Sequence, residues 1–340
     1  MLDVFTSDAF SMVSLTEAIA KLPYVPSYLG KKGLFAQKGI TTTTAVLDEK
    51  DGVVSLIPTA ARGSRPNAAA RSDRNARSFV IPHIPLNEAV MADDVQNIRA
   101  FGSETTMQTV AGLVNERLGD MKQSFEATWE YHRVGAISGV ILDADGTTEI
   151  YDLFDEFGLT EHEVEFDFSD ATTDVKQLCT DVIRLIQDAL GAAPYTGIEA
   201  LCGDDFFDAL TSHAKVVEAY ERWQTGEFLR TQQNETGFPF GGVYWRNYRG
   251  SVGSVSYIDA DTARFFPLGV PKLFAQYNAP ANFVETVNTI GRPIYVKQRR
   301  MDFDTGVELH AQSNPLFMCT RPQCLIKGTR TTTSGTSGSA

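Results

Sequence analysis

This chain of 340 residues has little cysteine, no long apolar run and few of the compact motifs of a catalytic or metal site. Its four cysteines (Cys179, Cys202, Cys319, Cys324) include no C-x-x-C pair. That excludes a disulfide scaffold and reads as reduced, partly buried thiols. No apolar run approaches the roughly 20 residues of a membrane-spanning helix, so none is expected. The opening MLDVFTSDAFSMVSLTEAIAKLP carries acids early and lacks the basic stretch of a secretory leader. Dinucleotide, P-loop, zinc-protease and nucleophile-elbow signatures are all missing. The histidines (His83, His132, His162, His213, His310) are scattered and read as surface or satisfied core groups.

What is present is ordinary globular composition, 43% hydrophobic and 21% charged, with a net charge of −13. The length suits about two domains. The charge is unevenly placed. Between Gly139 and Asp174 lie twelve Asp or Glu and no Lys or Arg. Between Arg62 and Arg77 lie five arginines and one acid, Asp73. Two solvated surfaces account for this, and so does a basic segment of one copy meeting the acidic ground of another. A dedicated DNA-gripping protein is basic overall, and this chain is not. Aromatic residues for stacking on bases are absent from 62–77, which leaves only non-specific phosphate contact for a nucleic-acid role.

Periodicity predicts a mixture of helices and strands. Thr41–Leu47 and Val53–Ile57 flank Asp51-Gly52, a hairpin signal, and Phe79–Pro85 reads as a return strand. Met107, Val110, Val114, Leu118, Met121, Phe125 and Trp129 step by three and four, predicting one helix from Ser103 to about Arg133. A second helix is expected from about Asp174 to Leu190, and another through DDFFDALTSHAKVVEAYERW. The aromatic and basic stretch Tyr244, Trp245, Arg246, Tyr248 and Arg249 reads as a strand with a core face and a rim. Near the end, Ile294 and Val296 open a strand, Asp304-Thr-Gly306 turns it, and Val307, Leu309 and Ala311 return it. The tail TRTTTSGTSGSA is low in complexity and reads as disordered.

Four stretches, taken in order, carry a resemblance: TTTTAVL with its Asp-Gly turn; ARGSRP through RSFVIPHIPLNEAVMADDVQNIRAFG; the long helix followed by GVILDADGTTEIYDLFDEFG; and ETVNTIGRPIY with AQSNPLFMCTRP. Together they resemble the lambda-type major capsid proteins, the capsid protein E family of tailed bacteriophages. The resemblance implies an α+β coat fold. Residues 1–39 would be an N-terminal arm, 40–86 an extended β-hairpin loop, and 87–170 a peripheral domain with a long spine helix. An axial domain would occupy 171–284, return strands of the peripheral domain 285–330, and a disordered tail 331–340. It implies a non-enzymatic protein with no cofactor, which assembles with itself as pentamers and hexamers into an icosahedral shell around the genome. Scaffold and portal proteins, and a decoration protein, would be its partners; packaged DNA would be touched only non-specifically, and no membrane is involved. The virion would be its location, reached by assembly in the host cytoplasm. In that arrangement Arg62, Arg65, Arg71, Arg74 and Arg77 are candidates to meet Asp152, Asp155, Glu161 or Glu163 of a neighbour, the planar guanidinium suiting paired carboxylates.

The rival reading is enzymatic. VILDADGTT resembles the first motif of haloacid-dehalogenase-type phosphatases, with Asp143 as nucleophile and Asp145 as general acid and base. GDDFFD would then stand for the later metal-binding acids and Lys176 for the phosphate-binding lysine. Against it, only about 60 residues separate the two acidic motifs, and a tight hairpin needs Asp-Gly for its own geometry. A calcium loop at the same place lacks the third ligand before Gly146 and the closing Glu.

Overall fold

The computed structural model describes residues 27–50, 74–94, 110–222, 237–252 and 255–331, without the side chains of 48–50, 74–76, 110 and 220–222. Expectations for Met107, the Ser103 start of the long helix, the Val53–Ile57 strand and the tail from 332 on lie outside these residues; the tail's first residues, Thr329 and Arg330, are instead part of the strand Ile326–Arg330. The chain divides into two compact units, one formed by 1–47, 78–133 and 275–317, the other by 48–77, 134–274 and 318–340. The architecture is α+β. Among the described residues, no helix is long and apolar enough to cross a membrane.

In the first unit a three-stranded antiparallel sheet runs Tyr295–Arg300, Gly306–Ser313, Ile84–Met91. Its register pairs Gln298 with Leu309 and Leu309 with Glu88. Strand alternation sends Val307, Leu309 and Ala311 into the core while Glu308 and His310 face outward. The long helix Val110–Ser138 lies along the core face. Its apolar stripe of Val114, Leu118, Met121, Phe125 and Trp129 is buried, and Trp129 Nε1 donates to Ser313 Oγ at 3.0 Å. The helix outruns the expected end near Arg133 because Ala136 and Ile137 continue the buried stripe. The stop is Gly139, which takes φ +85° just past the last helical residue, and any Cβ there would sit 2.2 Å from the Phe154 ring.

Thr44–Lys50 pairs with Arg74–Val80, so a long excursion separates the paired strands and is closed by a return strand, as expected near Phe79. The return strand ends at Val80, five residues before the expected limit. Pro82 has no N–H to extend a ladder, and a separate strand starts at Ile84.

At the tip of the 295–313 hairpin, Phe303 (φ 58°) and Asp304 (φ 55°) both adopt left-handed backbone. For non-glycine residues this costs roughly 1 kcal/mol each. The tip is nonetheless well tied: Met301 N–H bonds Gly306 O at 3.0 Å, and Asp304 N–H bonds Met301 O at 3.2 Å.

The second unit is organised by a six-stranded mixed sheet, in the order His162–Phe166, Ile326–Arg330, Thr262–Leu268, Gly197–Cys202, Val243–Asn247, Phe238–Phe240. The Gly197–Cys202 strand is central and buried on both faces from Ile198 on, with Glu199 the one charged residue in it. Phe166, Phe206, Trp245 and Phe265 pack as one aromatic cluster, with ring centroids 5.1 to 6.1 Å apart. The helix Val175–Leu190 covers this core with Val175, Cys179, Val182 and Ile186, and Asp174 caps its start by accepting from Gln177 N–H. The long helical stretch expected after Gly203 is two helices, Asp204–Ser212 and Ala214–Arg222. His213 is extended between them, its ring Nε2 3.1 Å from Asp170 O.

Candidate functional site

The expected contact residues fall in two groups. Arg62, Arg65 and Arg71 lie outside the described residues, and Arg74 is placed in the return strand by its backbone alone. Arg77 is described in full. Its guanidinium donates to Glu156 O and stands 5.0 Å over the Phe157 ring, so it meets the acidic segment of its own chain.

The acidic segment also has partners within the chain. Glu161 Oε1 is 2.5 Å from Arg264 Nη1, and Glu163 lies opposite Lys327 in register with 3.8 Å between charges. Asp152 caps the short helix Leu153–Phe157, accepting from Phe154 and Asp155 N–H. Asp155 is exposed in the first turn, where a negative charge is favourable. The bases that meet this stretch come from distant segments, Arg77, Arg264 and Lys327, so no local count of charge shows them.

The Asp143 and Asp145 pair is a turn. The strands Val140–Leu142 and Glu149–Asp152 flank it as expected. Asp145 accepts from Thr147 N–H, Thr148 N–H and the Thr148 hydroxyl, which hold its carboxyl well below the usual range. An acid so stabilised as the anion is a poor proton donor. The second acidic motif is occupied too: Asp204 accepts from Asn247 at 2.9 Å and lies 3.2 Å from Arg249, while Asp205 lies 3.8 Å from Arg330. Among the described residues no group of His, Cys, Asp and Glu could hold a metal ion.

Burial pushes the thiols of Cys179 and Cys324 up to about 12, and those of Cys202 and Cys319 upward as well, so all four free cysteines stay protonated and inert. The shallow pocket on the outward face of the three-stranded sheet offers no unmatched charge for chemistry. Its Lys297 pairs with Glu285 at 2.6 Å and its Arg299 with Glu308 at 2.7 Å.

Two features escaped the reading of the sequence. On the long helix, Lys122, Glu126, Glu130 and Arg133 step by four, four and three, yet all are buried. Glu130 accepts from Leu29 N–H at 2.7 Å and Gly30 N–H at 3.1 Å, fastening the helix Tyr28–Lys32, and pairs with Arg133 at 3.2 Å. Arg133 in turn lies 5.1 Å over the Phe317 ring. A regular charged stripe is the only signal the sequence held, and such a stripe normally means solvent. The second feature is apolar exposure. Phe303 is 99% exposed and Val284 90%, with Val287 and Ile290 at 65% and 68%.

The comparisons with known proteins agree with one another. The profile of the family described as phage major capsid protein E matches residues 11–330. The major capsid protein of Pseudomonas phage KPP10 is 28% identical over 94% of this chain and 96% of its own length. That of Salmonella phage Felix O1 is also 28% identical, over 93% of this chain and 95% of its own. In fold, the chain is similar to a candidate capsid protein of a prophage in E. coli CFT073. The TM-score is 0.57 at 14% identity, covering 94% of this chain and 99% of that one.

Proposed function

The chain belongs to the phage major capsid protein E family, and from that membership we propose how it acts. It is the coat subunit that assembles with itself into the icosahedral shell enclosing a phage genome. The observation that carries this is the family match over residues 11–330, spanning both compact units. The reading is purely architectural: the subunit performs no catalysis and needs no cofactor, and the Asp143 turn is a hairpin. Copies gather as pentamers and hexamers in the host cytoplasm, around a scaffold and a portal, and a decoration protein is a further candidate partner.

Within the subunit we assign residues 1–39 as the arm, 40–86 as the extended loop, 87–170 with 285–330 as the peripheral domain and 171–284 as the axial domain. The strand pair Thr44–Lys50 and Arg74–Val80 supports an excursion at the loop. Its arginines Arg62, Arg65, Arg71 and Arg74 are proposed to lie on acidic ground of a neighbour. Asp155 is the proposed partner best placed for this, being exposed; Arg77, Glu161 and Glu163 would be shared with contacts inside the chain. A surplus of 13 negative charges suits a shell whose lining holds DNA only loosely.

The test is charge reversal. Particles formed by the unsubstituted chain are compared by negative-stain microscopy with those of an Arg65→Glu, Arg71→Glu, Arg74→Glu variant. Soluble, folded subunits without closed shells are the expected result. Intact shells from the variant would contradict the loop contact.

A further inference from the structure

Apolar exposure is concentrated in one place. Among the described residues, seven of the eight large hydrophobic side chains exposed to solvent belong to the first unit, Val252 being the exception. Four of these seven make two distinct features. One is a knob: Phe303 at the tip of the 295–313 hairpin, held outward by left-handed backbone and flanked by Asp302 and Asp304. The other is a ridge: Val284, Val287 and Ile290, spaced by three along a segment that opens with a 3-10 turn.

Neither feature is loose chain. The ridge is pinned from beneath by Thr286, whose buried hydroxyl donates to Ala281 O at 2.6 Å, and at its end by Gly291 N–H on Ile40 O at 2.8 Å. The knob is closed by the Met301 to Gly306 hydrogen bond at its neck. A backbone that spends strain to hold a phenyl ring outward is organised for a contact that the described residues of its own chain do not supply.

Charge tells which surface fits. On the knob, Arg300 lies 3.7 Å from Asp304, which leaves Asp302 as the excess charge. On the ridge, Lys297 and Glu285 neutralise each other at 2.6 Å, which leaves Arg292, exposed two residues after Ile290. An acid-flanked ring and a base-flanked set of exposed apolar side chains on one chain are both apolar and opposite in sign. Rings of identical subunits require this kind of contact, in which two different patches of each copy meet head to tail.

We propose that Phe303 of one subunit seats on the ridge of Val284, Val287 and Ile290 of an adjacent copy, with Asp302 facing that copy's Arg292. The proposal rests on the coat-protein reading and adds to it a specific contact. Four side chains bury far less than the ~1,200 Å² or more of a stable interface, so this is one anchor within a larger contact.

The test uses particles assembled from the full chain, oxidised with copper phenanthroline. The four native cysteines are buried, so introduced thiols report alone. The Phe303→Cys, Val287→Cys double variant is expected to run as a covalent ladder on non-reducing gels, and each single variant as a monomer. A ladder absent from assembled double-variant particles overturns the proposal, as do dimers from either single variant, which would place like against like. Arg292→Glu supplies an independent arm: shell yield should fall at least about tenfold, and adding Asp302→Arg should restore it. Full yield from Arg292→Glu alone, or no recovery in the swap, also overturns the contact while leaving the coat-protein reading intact. Failure of the unsubstituted chain to form particles at all would remove both.

Discussion

The two compact units solve burial in opposite ways. The second is conventional: Phe166, Phe206, Trp245 and Phe265 fill its centre, and its buried Glu199 lies 3.6 Å from Arg246. The first unit inverts the pattern. It buries four charged residues along the long helix and leaves Val284, Val287, Ile290 and Phe303 in water. A unit that is complete in itself does not need that exchange. A unit finished by its neighbours does, because apolar surface kept outside is available for association, while buried charge fixes one arrangement of the elements that carry it. The second unit is thus built to be stable, and the first to be both stable and unfinished.

The largest effect that sharpens this contrast lies in the aromatic cluster. Trp245→Ala should destabilise the subunit by about 3–5 kcal/mol, read as a loss of chemical stability in urea. A loss below 1 kcal/mol would mean that the second unit is not held by its core. Next is Glu130→Ala, which strands Leu29 N–H, Gly30 N–H and Arg133 without their shared acceptor. About 3 kcal/mol should be lost, together with hydrogen-exchange protection at Leu29 and Gly30. Unchanged exchange there would show that the fastening is incidental.

A smaller effect has a definite sign with pH. Burial raises the Glu126 carboxyl above its ordinary range, outweighing the nearby Arg133 and Lys122. The folded state therefore holds that proton more tightly than the unfolded one. Its contribution is fully present below the ordinary carboxylate pKa and is lost as pH rises through the raised folded value. Glu126→Gln should accordingly raise the melting temperature at pH 7 and lose that advantage in acid. A constant difference across pH would contradict buried charge as the cause. Smallest of all, Phe303→Ser should leave subunit stability within about 0.5 kcal/mol of the parent while impairing shells. A marked loss of subunit stability would instead make Phe303 part of the fold.

Much of this was legible from residues alone. The stripe from Val114 to Trp129, the helix after Asp174 and the closing hairpin around Gly306 appear where periodicity places them, because each buries one face against a sheet. The pairing of Thr44–Lys50 with Arg74–Val80 has no local mark in the sequence, because its partner is set by a distant segment. The long helix runs past the expected end near Arg133, which is buried against Glu130 and Phe317, to Ser138. Inversion in the first unit hid the rest. Its charged stripe is buried and Val284 and Val287 are exposed, and only tertiary structure reveals either.

The most direct measurement of the central claim is particle mass. The chain should be expressed alone and with its neighbouring genes, then sized by light scattering and viewed by negative-stain microscopy. Closed shells, or rings of five and six copies, are the predicted result. A 37.3 kDa subunit that stays monomeric or dimeric in both settings would contradict the account.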